Sequence, residues 1–116
     1  MLDESTEFRE PSSEELRLLT TLVQRSPGLD LPLDWAEHLR VREMNDGGMG
    51  SLRLSLSTSQ EDKAKAGKLK AEIQFEDADG VVVLASLYTD LEGKLFELDV
   101  WKTDYGRLIR IPDQLE

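Results

Sequence analysis

Cysteine is absent from this chain of 116 residues, and histidine occurs once, at position 38. Without cysteine there can be no disulfide, no thiol catalysis and no cysteine-ligated metal site. A single histidine could serve a Ser-His-Asp triad, but no G-x-S-x-G turn presents a nucleophile. Zinc-protease, P-loop and EF-hand spacings are also missing. We therefore predict no catalytic residue, no metal and no cofactor, and we interpret His38 as a structural or surface residue.

Long apolar runs and an excess of basic charge are also lacking. The longest apolar run, Val81 to Ala85, is far too short to span a bilayer, and the acidic N-terminus has no signal-peptide pattern. We therefore expect a cytoplasmic protein with no membrane partner. The chain carries 24 acidic and 14 basic residues, a net charge of −10. That charge disfavours nucleic-acid binding and suits either a basic protein partner or solubility alone.

The first predicted element is a helix that begins after a polar, flexible segment of residues 1–10. Ser12 and Glu15 have the spacing of a capping box. The apolar residues that follow recur at helical spacing up to Ser26-Pro27-Gly28, which ends the helix. Residues 29–38 predict either an extended connector with Trp35 partly buried, which we favour, or a short turn capped by Asp34. The apolar stripe of the helix consists of Leu16, Leu18, Leu19, Leu22 and Val23.

Beyond residue 39 the apolar period changes to two, which is typical of antiparallel strands covered on one face. The short connections 77–80 and 90–93 each end in glycine, as hairpin loops do. Residues 57–67 predict a longer exposed loop or helical turn. No helix intervenes to make βαβ crossovers, so we predict an α+β fold: an N-terminal helix packed on an antiparallel meander of about five strands, forming a single domain over residues 11–116. The strand order is left open.

The most unusual stretch is the glycine segment, residues 44–51, which holds three glycines beside Asn45 and Asp46. Glycine reaches positive φ without steric cost and allows close approach to the main chain. The segment is interpreted as a hairpin loop with a glycine bulge. The alternative is a ligand-contacting loop whose free N–H groups and Asp46 face a ligand. The glycines are not in dinucleotide-binding order, and a strand follows them rather than a helix.

A second candidate site lies on the last predicted strand. If Phe96, Leu98 and Val100 face the helix, Glu97, Asp99 and Trp101 share the opposite face. Two carboxylates at this spacing, roughly 7 Å apart, can do acid–base work if burial separates their pKa values. The interpretation we favour is a solvated face whose charges pair across strands. A tryptophan on such a face indicates contact with a chain terminus, a second subunit or a partner.

Two stretches together carry a resemblance. Residues 45–52, Asn-Asp-Gly-Gly-Met-Gly-Ser-Leu, and residues 95–104, Leu-Phe-Glu-Leu-Asp-Val-Trp-Lys-Thr-Asp, resemble a family of small bacterial domains of unknown function. The resemblance implies an α+β domain and brings no activity or catalytic residue. Some small acidic bacterial proteins of this build act as immunity or accessory proteins, which is an analogy only.

The leading hypothesis is a non-enzymatic protein-interaction or binding module. The rival is a small enzyme or ligand-binding pocket protein that uses Asp46, Glu97 and Asp99. Homodimerisation through the open sheet face or an edge strand is a third possibility. The candidate binding residues are Asn45, Asp46, Gly47, Gly48, Glu97, Asp99 and Trp101.

Overall fold

A computed structural model describes residues 7–56 and 66–115. Most of the loop predicted over residues 57–67, and residues 1–6 of the predicted flexible N-terminus, lie outside this range. Within it, Arg9 pairs with Val41 in an antiparallel bridge, which ties the N-terminal segment to the edge of the sheet. No helix among the described residues has the length and apolar character needed to cross a bilayer.

The N-terminal helix α1 spans Ser13–Gln24. The capping box is confirmed, because Ser12 Oγ accepts the N–H of Glu15 and the Glu15 carboxylate accepts the N–H of Ser12. Leu18, Leu19 and Leu22 are fully buried on its inner stripe. A second, one-turn helix α2 spans Trp35–His38, so the connector contains the short turn that was the less favoured alternative. Asp34 stands at its N-cap but forms no side-chain capping hydrogen bond. Trp35 is partly buried, as predicted.

Five antiparallel strands form one open sheet, and the predicted α+β class is confirmed. The strands are β1 Arg40–Glu43, β2 Leu52–Ser55, β3 Ala66–Glu76, β4 Val82–Asp90 and β5 Leu95–Lys102. They lie in the order β1-β2-β5-β4-β3, so the β1–β2 hairpin joins the three-stranded β3–β4–β5 unit where β5 pairs with β2. Strands β3, β4 and β5 form a meander through the two predicted glycine-ended turns.

The core lies on the face of the sheet that α1 covers, which we call the inner face. Besides α1, it receives Leu29, Leu31 and Trp35 from the connector, and Leu108 and Ile111 from the C-terminal segment, residues 104–115. The C-terminal segment runs beside α1, where Glu14 Oε1 accepts the N–H of Ile111. These packed elements leave the opposite side of the sheet, the outer face, without a helix among the described residues.

Phe96 differs from the prediction that it faces the helix with Leu98 and Val100. The β4–β5 register places Tyr88 opposite Glu97 but Thr89 opposite Leu95, so Phe96 is an extra residue in β5. Such a bulge reverses the alternation of side chains at that point. Leu95 therefore joins the core cluster, whereas the Phe96 ring packs on the outer face under Arg53, whose Cζ lies 4.3 Å from the ring centroid.

Candidate functional site

The outer face brings together the polar residues that the sequence placed there. Glu97 and Asp99 flank the buried Leu98 on β5, so both side chains point away from the core. Strand pairing places Ser86 beside Asp99, and Ser86 donates a hydrogen bond to Glu72 Oε2 at 2.8 Å. The residues that share this face on the five strands include Arg40, Arg42, Arg53, Ser55, Leu69, Glu72, Gln74, Leu84, Ser86, Tyr88, Phe96, Glu97, Asp99 and Trp101.

Glu97 is the carboxylate of this face whose environment is unfavourable to its charge. Partial burial raises the pKa of Glu97, and the neighbouring charge of Asp99 raises it further. Arg53, directly opposite on β2, lowers the pKa but does not offset the other two effects. The folded protein therefore holds a partly desolvated carboxylate next to a like charge.

Trp101 lies near the end of β5 on the same face, with 36% of its surface exposed. Its ring centroid is 6.1 Å from that of Tyr105, and the two planes are tilted by 57°. Tyr105 is 71% exposed and has a φ of +63°, a left-handed conformation that costs a non-glycine residue about 1 kcal/mol or more. The C-terminal segment thus turns back next to Trp101 without covering it, and two exposed aromatic rings stand side by side.

The glycine segment connects β1 to β2 as predicted, and its own side chains organise it. Both Asp46 carboxylate oxygens accept backbone N–H groups of the loop, from Met49 at 3.1 Å and from Ser51 at 2.9 Å. Gly47, Gly48 and Gly50 all have positive φ. The carboxylate of Asp46 is therefore committed to the fold of the loop, while Asn45, Gly47 and Gly48 are exposed.

Ser51 connects this loop to β5. Its Oγ accepts the N–H of Val100 at 2.9 Å and lies 3.5 Å from Asp99 Oδ1. The loop also contacts the C-terminal segment, because Gly48 O accepts the N–H of Leu108. The structure therefore brings the glycine segment next to Asp99 through one buried serine. Glu97 lies two residues before Asp99 on β5, further from the loop.

A buried ion cluster was missed by the sequence analysis. Lys102 is 2% exposed, and its Nζ lies 2.8 Å from Asp77 Oδ2 and 2.7 Å from Asp79 Oδ2. It also donates to the carbonyl of Arg107. The signal was present: alternation from Leu98 and Val100 places Lys102 on the inner face, where a charged residue needs a partner.

Asp77 joins this cluster to the C-terminal segment. Its fully buried carboxylate accepts the N–H groups of Ile109 and Arg110 as well as that of Ala78. Burial alone would raise the pKa of Asp77, but Lys102 and the three N–H groups lower it to about 2. The two carboxylates in turn raise the pKa of Lys102, so its amine stays protonated and is no nucleophile. The cluster holds the C-terminal segment against the end of the sheet.

The remaining candidates for chemistry are few. His38 is exposed and contacts Asp34 Oδ2 at 3.1 Å, which fits a surface residue. Among the described residues, no three His, Asp or Glu side chains are grouped to hold a metal ion. An open depression of about 260 Å³ is lined by Glu76, Ala78, Arg110, Pro112 and Asp113, and none of these is a predicted site residue.

Comparison with known proteins agrees with the resemblance carried by the two motifs. Residues 8–112 match the family described as Domain of unknown function (DUF6984). The chain belongs to this family. The match includes the glycine segment, the outer face and the buried ion cluster of this DUF6984 domain, and it brings no assigned activity. No curated protein and no solved structure matches the chain.

Proposed function

We propose that this DUF6984 domain is a non-enzymatic, cytoplasmic protein-interaction module. Its outer face would bind a basic surface of a partner protein at the end that carries Trp101. The single observation that carries the proposal is the exposed Trp101–Tyr105 ring pair on a sheet face that also bears Glu97 and Asp99.

The chemistry of this face favours a cationic partner. Tryptophan and tyrosine are enriched among the residues that dominate interface energies, and their rings attract Lys and Arg side chains. Glu97 is partly desolvated beside Asp99, and a partner's positive charge would stabilise both carboxylates. The net charge of −10 would also accelerate the approach of a basic protein.

The enzyme alternative draws its support from the raised pKa of Glu97, since perturbed carboxylates are frequent in active sites. Asp46 does not add to that support, because both of its oxygens accept N–H groups of its own loop. The exposed ring pair beside the carboxylates favours binding over catalysis.

The test compares four forms of the protein: the wild type, Trp101→Ala, Asp99→Asn and the control Leu33→Ala. Leu33 is fully exposed and lies in the connector, outside the sheet. Its replacement by alanine therefore controls for the loss of exposed apolar surface. Proteins captured from the native lysate are identified, and the one that binds is purified and titrated by calorimetry. We expect a partner with a basic surface, bound at least about thirtyfold more weakly by Trp101→Ala. Binding should also weaken as salt rises.

Unchanged affinity in both outer-face variants, with each still folded, would remove the outer face as the interface. Sedimentation velocity of the purified protein across concentration tests the second-copy alternative. A dimer that Trp101→Ala dissociates would assign the face to self-association instead.

A further inference from the structure

A second charged feature of the outer face lies at the β1–β2 hairpin. Arg42 and Arg53 are register partners on these neighbouring strands. Both point outward, because Val41, Leu52 and Leu54 occupy the core. Side chains directly opposite each other have Cβ atoms roughly 5 Å apart, and like charges in that position repel. Two adjacent guanidinium groups are unexpected in a chain with a net charge of −10.

Each guanidinium of the pair lies over a phenyl ring. Arg42 Cζ is 5.0 Å from the Phe8 ring centroid, and Arg53 Cζ is 4.3 Å from that of Phe96. The four side chains form a row across the N-terminal segment, β1, β2 and β5, with the arginines in the middle and a phenyl ring at each end. Cation–π stacking restrains both arginine side chains, and stacking of this kind does not use the in-plane N–H groups of Arg53.

Arg53 has a buried donor with no acceptor. Its Nε is buried and has no hydrogen-bond partner within residues 7–56 and 66–115. A buried N–H without a partner is rare in folded proteins and is unfavourable. Glu97, opposite Arg53 on β5, does not form an ion pair with it within the same described ranges, and the pKa of Glu97 is raised rather than lowered. Arg42 has further interactions of its own, and the buried donor without a partner belongs to Arg53.

We propose that Arg53, flanked by Arg42, forms an oxyanion-binding site that takes a carboxylate or phosphate group. A guanidinium presents N–H groups in a planar fork that matches the two oxygens of such a group. The bound anion would accept from the terminal N–H groups of Arg53, and the positive charge of Arg42 on the neighbouring strand would add to its attraction. The site and the proposed basic-partner contact at Trp101 have Glu97 as a common neighbour, because Glu97 lies opposite Arg53 in the β2–β5 register, but neither proposal requires the other.

The test titrates the full chain with inorganic phosphate and, separately, with acetate, each at constant ionic strength held with chloride. The readouts are calorimetry and the NMR titration of the Glu97 carboxyl carbon. We expect saturable binding and a further rise in the pKa of Glu97, because the anion offsets the effect of Arg53. Binding of phosphate alone would identify a phosphate site, and binding of acetate as well would identify a general oxyanion site.

Three variants and a control define the site. Arg53→Gln should weaken anion binding by about tenfold, since it removes a charge-assisted pair of hydrogen bonds. Arg53→Lys should give an intermediate loss, because it keeps the charge without the fork, and Arg42→Gln offers a second variant should Arg53→Gln fail to fold. Arg110→Gln is the matched control, since Arg110 is exposed and lies 3.7 Å from Asp113. An equal response to chloride, or equal binding by wild type and Arg53→Gln, would overturn the proposal.

Discussion

Replacing Asp77 by asparagine tests whether the buried ion cluster holds the C-terminal segment in place. The change keeps the size of the side chain and removes its charge. Asp77 Oδ1 accepts the N–H groups of Ala78 and Arg110, whereas Oδ2 accepts that of Ile109 and the Lys102 amine. In asparagine one of these oxygens becomes an NH₂ group. If the amide oxygen keeps the Oδ1 contacts, the NH₂ group faces the Lys102 amine and the Ile109 N–H, which are both donors.

The expected loss in the free energy of unfolding follows from these contacts. The hydrogen bonds from the Lys102 amine and the Ile109 N–H are lost. Both are charge-assisted, because the acceptor is an ionised carboxylate, and each is worth about 1.5 kcal/mol. The Asp77 carboxylate is fully buried, so water cannot replace them. We therefore expect Asp77→Asn to destabilise the protein by about 3 kcal/mol, which lies at the lower end of the range for breaking a buried ion pair.

Asp79→Asn is the matched control, because Asp79 contacts the same lysine but its side chain is 39% exposed. Urea unfolding followed by circular dichroism measures the free energies, and hydrogen exchange reports on the Ile109 and Arg110 amides. Asp77→Asn should speed the exchange of the Ile109 amide, which loses its acceptor, more than that of the Arg110 amide, which keeps it. Asp79→Asn should have a smaller effect on both measurements. Equal losses in the two variants, or unchanged stability in Asp77→Asn, would refute the reasoning.

The difference in the free energy of unfolding between wild type and Asp77→Asn should also depend on pH. The folded-state pKa of Asp77 is about 2, below its ordinary value of 3.8. A carboxyl group whose pKa is lowered by folding contributes its full stabilisation at a pH above its ordinary pKa. This stabilisation is lost as the pH falls through the pKa of the folded state. About 2 kcal/mol of the difference should therefore disappear between about pH 4 and pH 2.

Two further predictions concern the glycine segment and the outer face. Gly50 has a φ of +107°, and a Cβ there would lie 3.0 Å from Leu108 Cδ2. Gly50→Ala should cost about 2–3 kcal/mol in urea unfolding, against about 1 kcal/mol for Gly47→Ala, where φ is +76° and the space is open. Equal costs would contradict the proposed contact. Glu97→Gln should raise the melting temperature at neutral pH, because it removes a carboxylate whose pKa burial and Asp99 raise. The gain should vanish at a pH below the pKa of Glu97, and a loss at neutral pH would contradict the assignment.

Local patterns in the sequence were enough to predict the helix and the hairpins. The Ser12 capping box and the glycine-ended turns each depend on residues a few positions apart, so their structure follows from nearby chemistry. The outward direction of Glu97, Asp99 and Trp101 followed from alternation along β5. These features explain why the fold class and the composition of the outer face could be predicted.

The features that escaped prediction depend on residues far apart in the chain. Alternation shows which face a strand buries but not which strand lies beside it, so the insertion of β5 between β2 and β4 was not predictable. Asp77 looked like an ordinary turn residue, because its partners Lys102, Ile109 and Arg110 follow 25 or more positions later. The bulge at Phe96 had one local signal, two adjacent apolar residues at 95 and 96, which strict alternation does not allow.

The two sequence motifs that carried the family resemblance are parts of one contact. Positive φ at the glycines allows the loop to fold back so that Asp46 accepts the N–H of Ser51. That bond directs Ser51 Oγ to the N–H of Val100, between the outer-face residues Asp99 and Trp101. Gly48 contacts the segment that Asp77 also binds, because its carbonyl accepts the N–H of Leu108. The glycine segment therefore does more than reverse the chain. It joins β5, which carries Trp101, to the C-terminal segment, which carries Tyr105. It thereby helps to position the two rings next to each other.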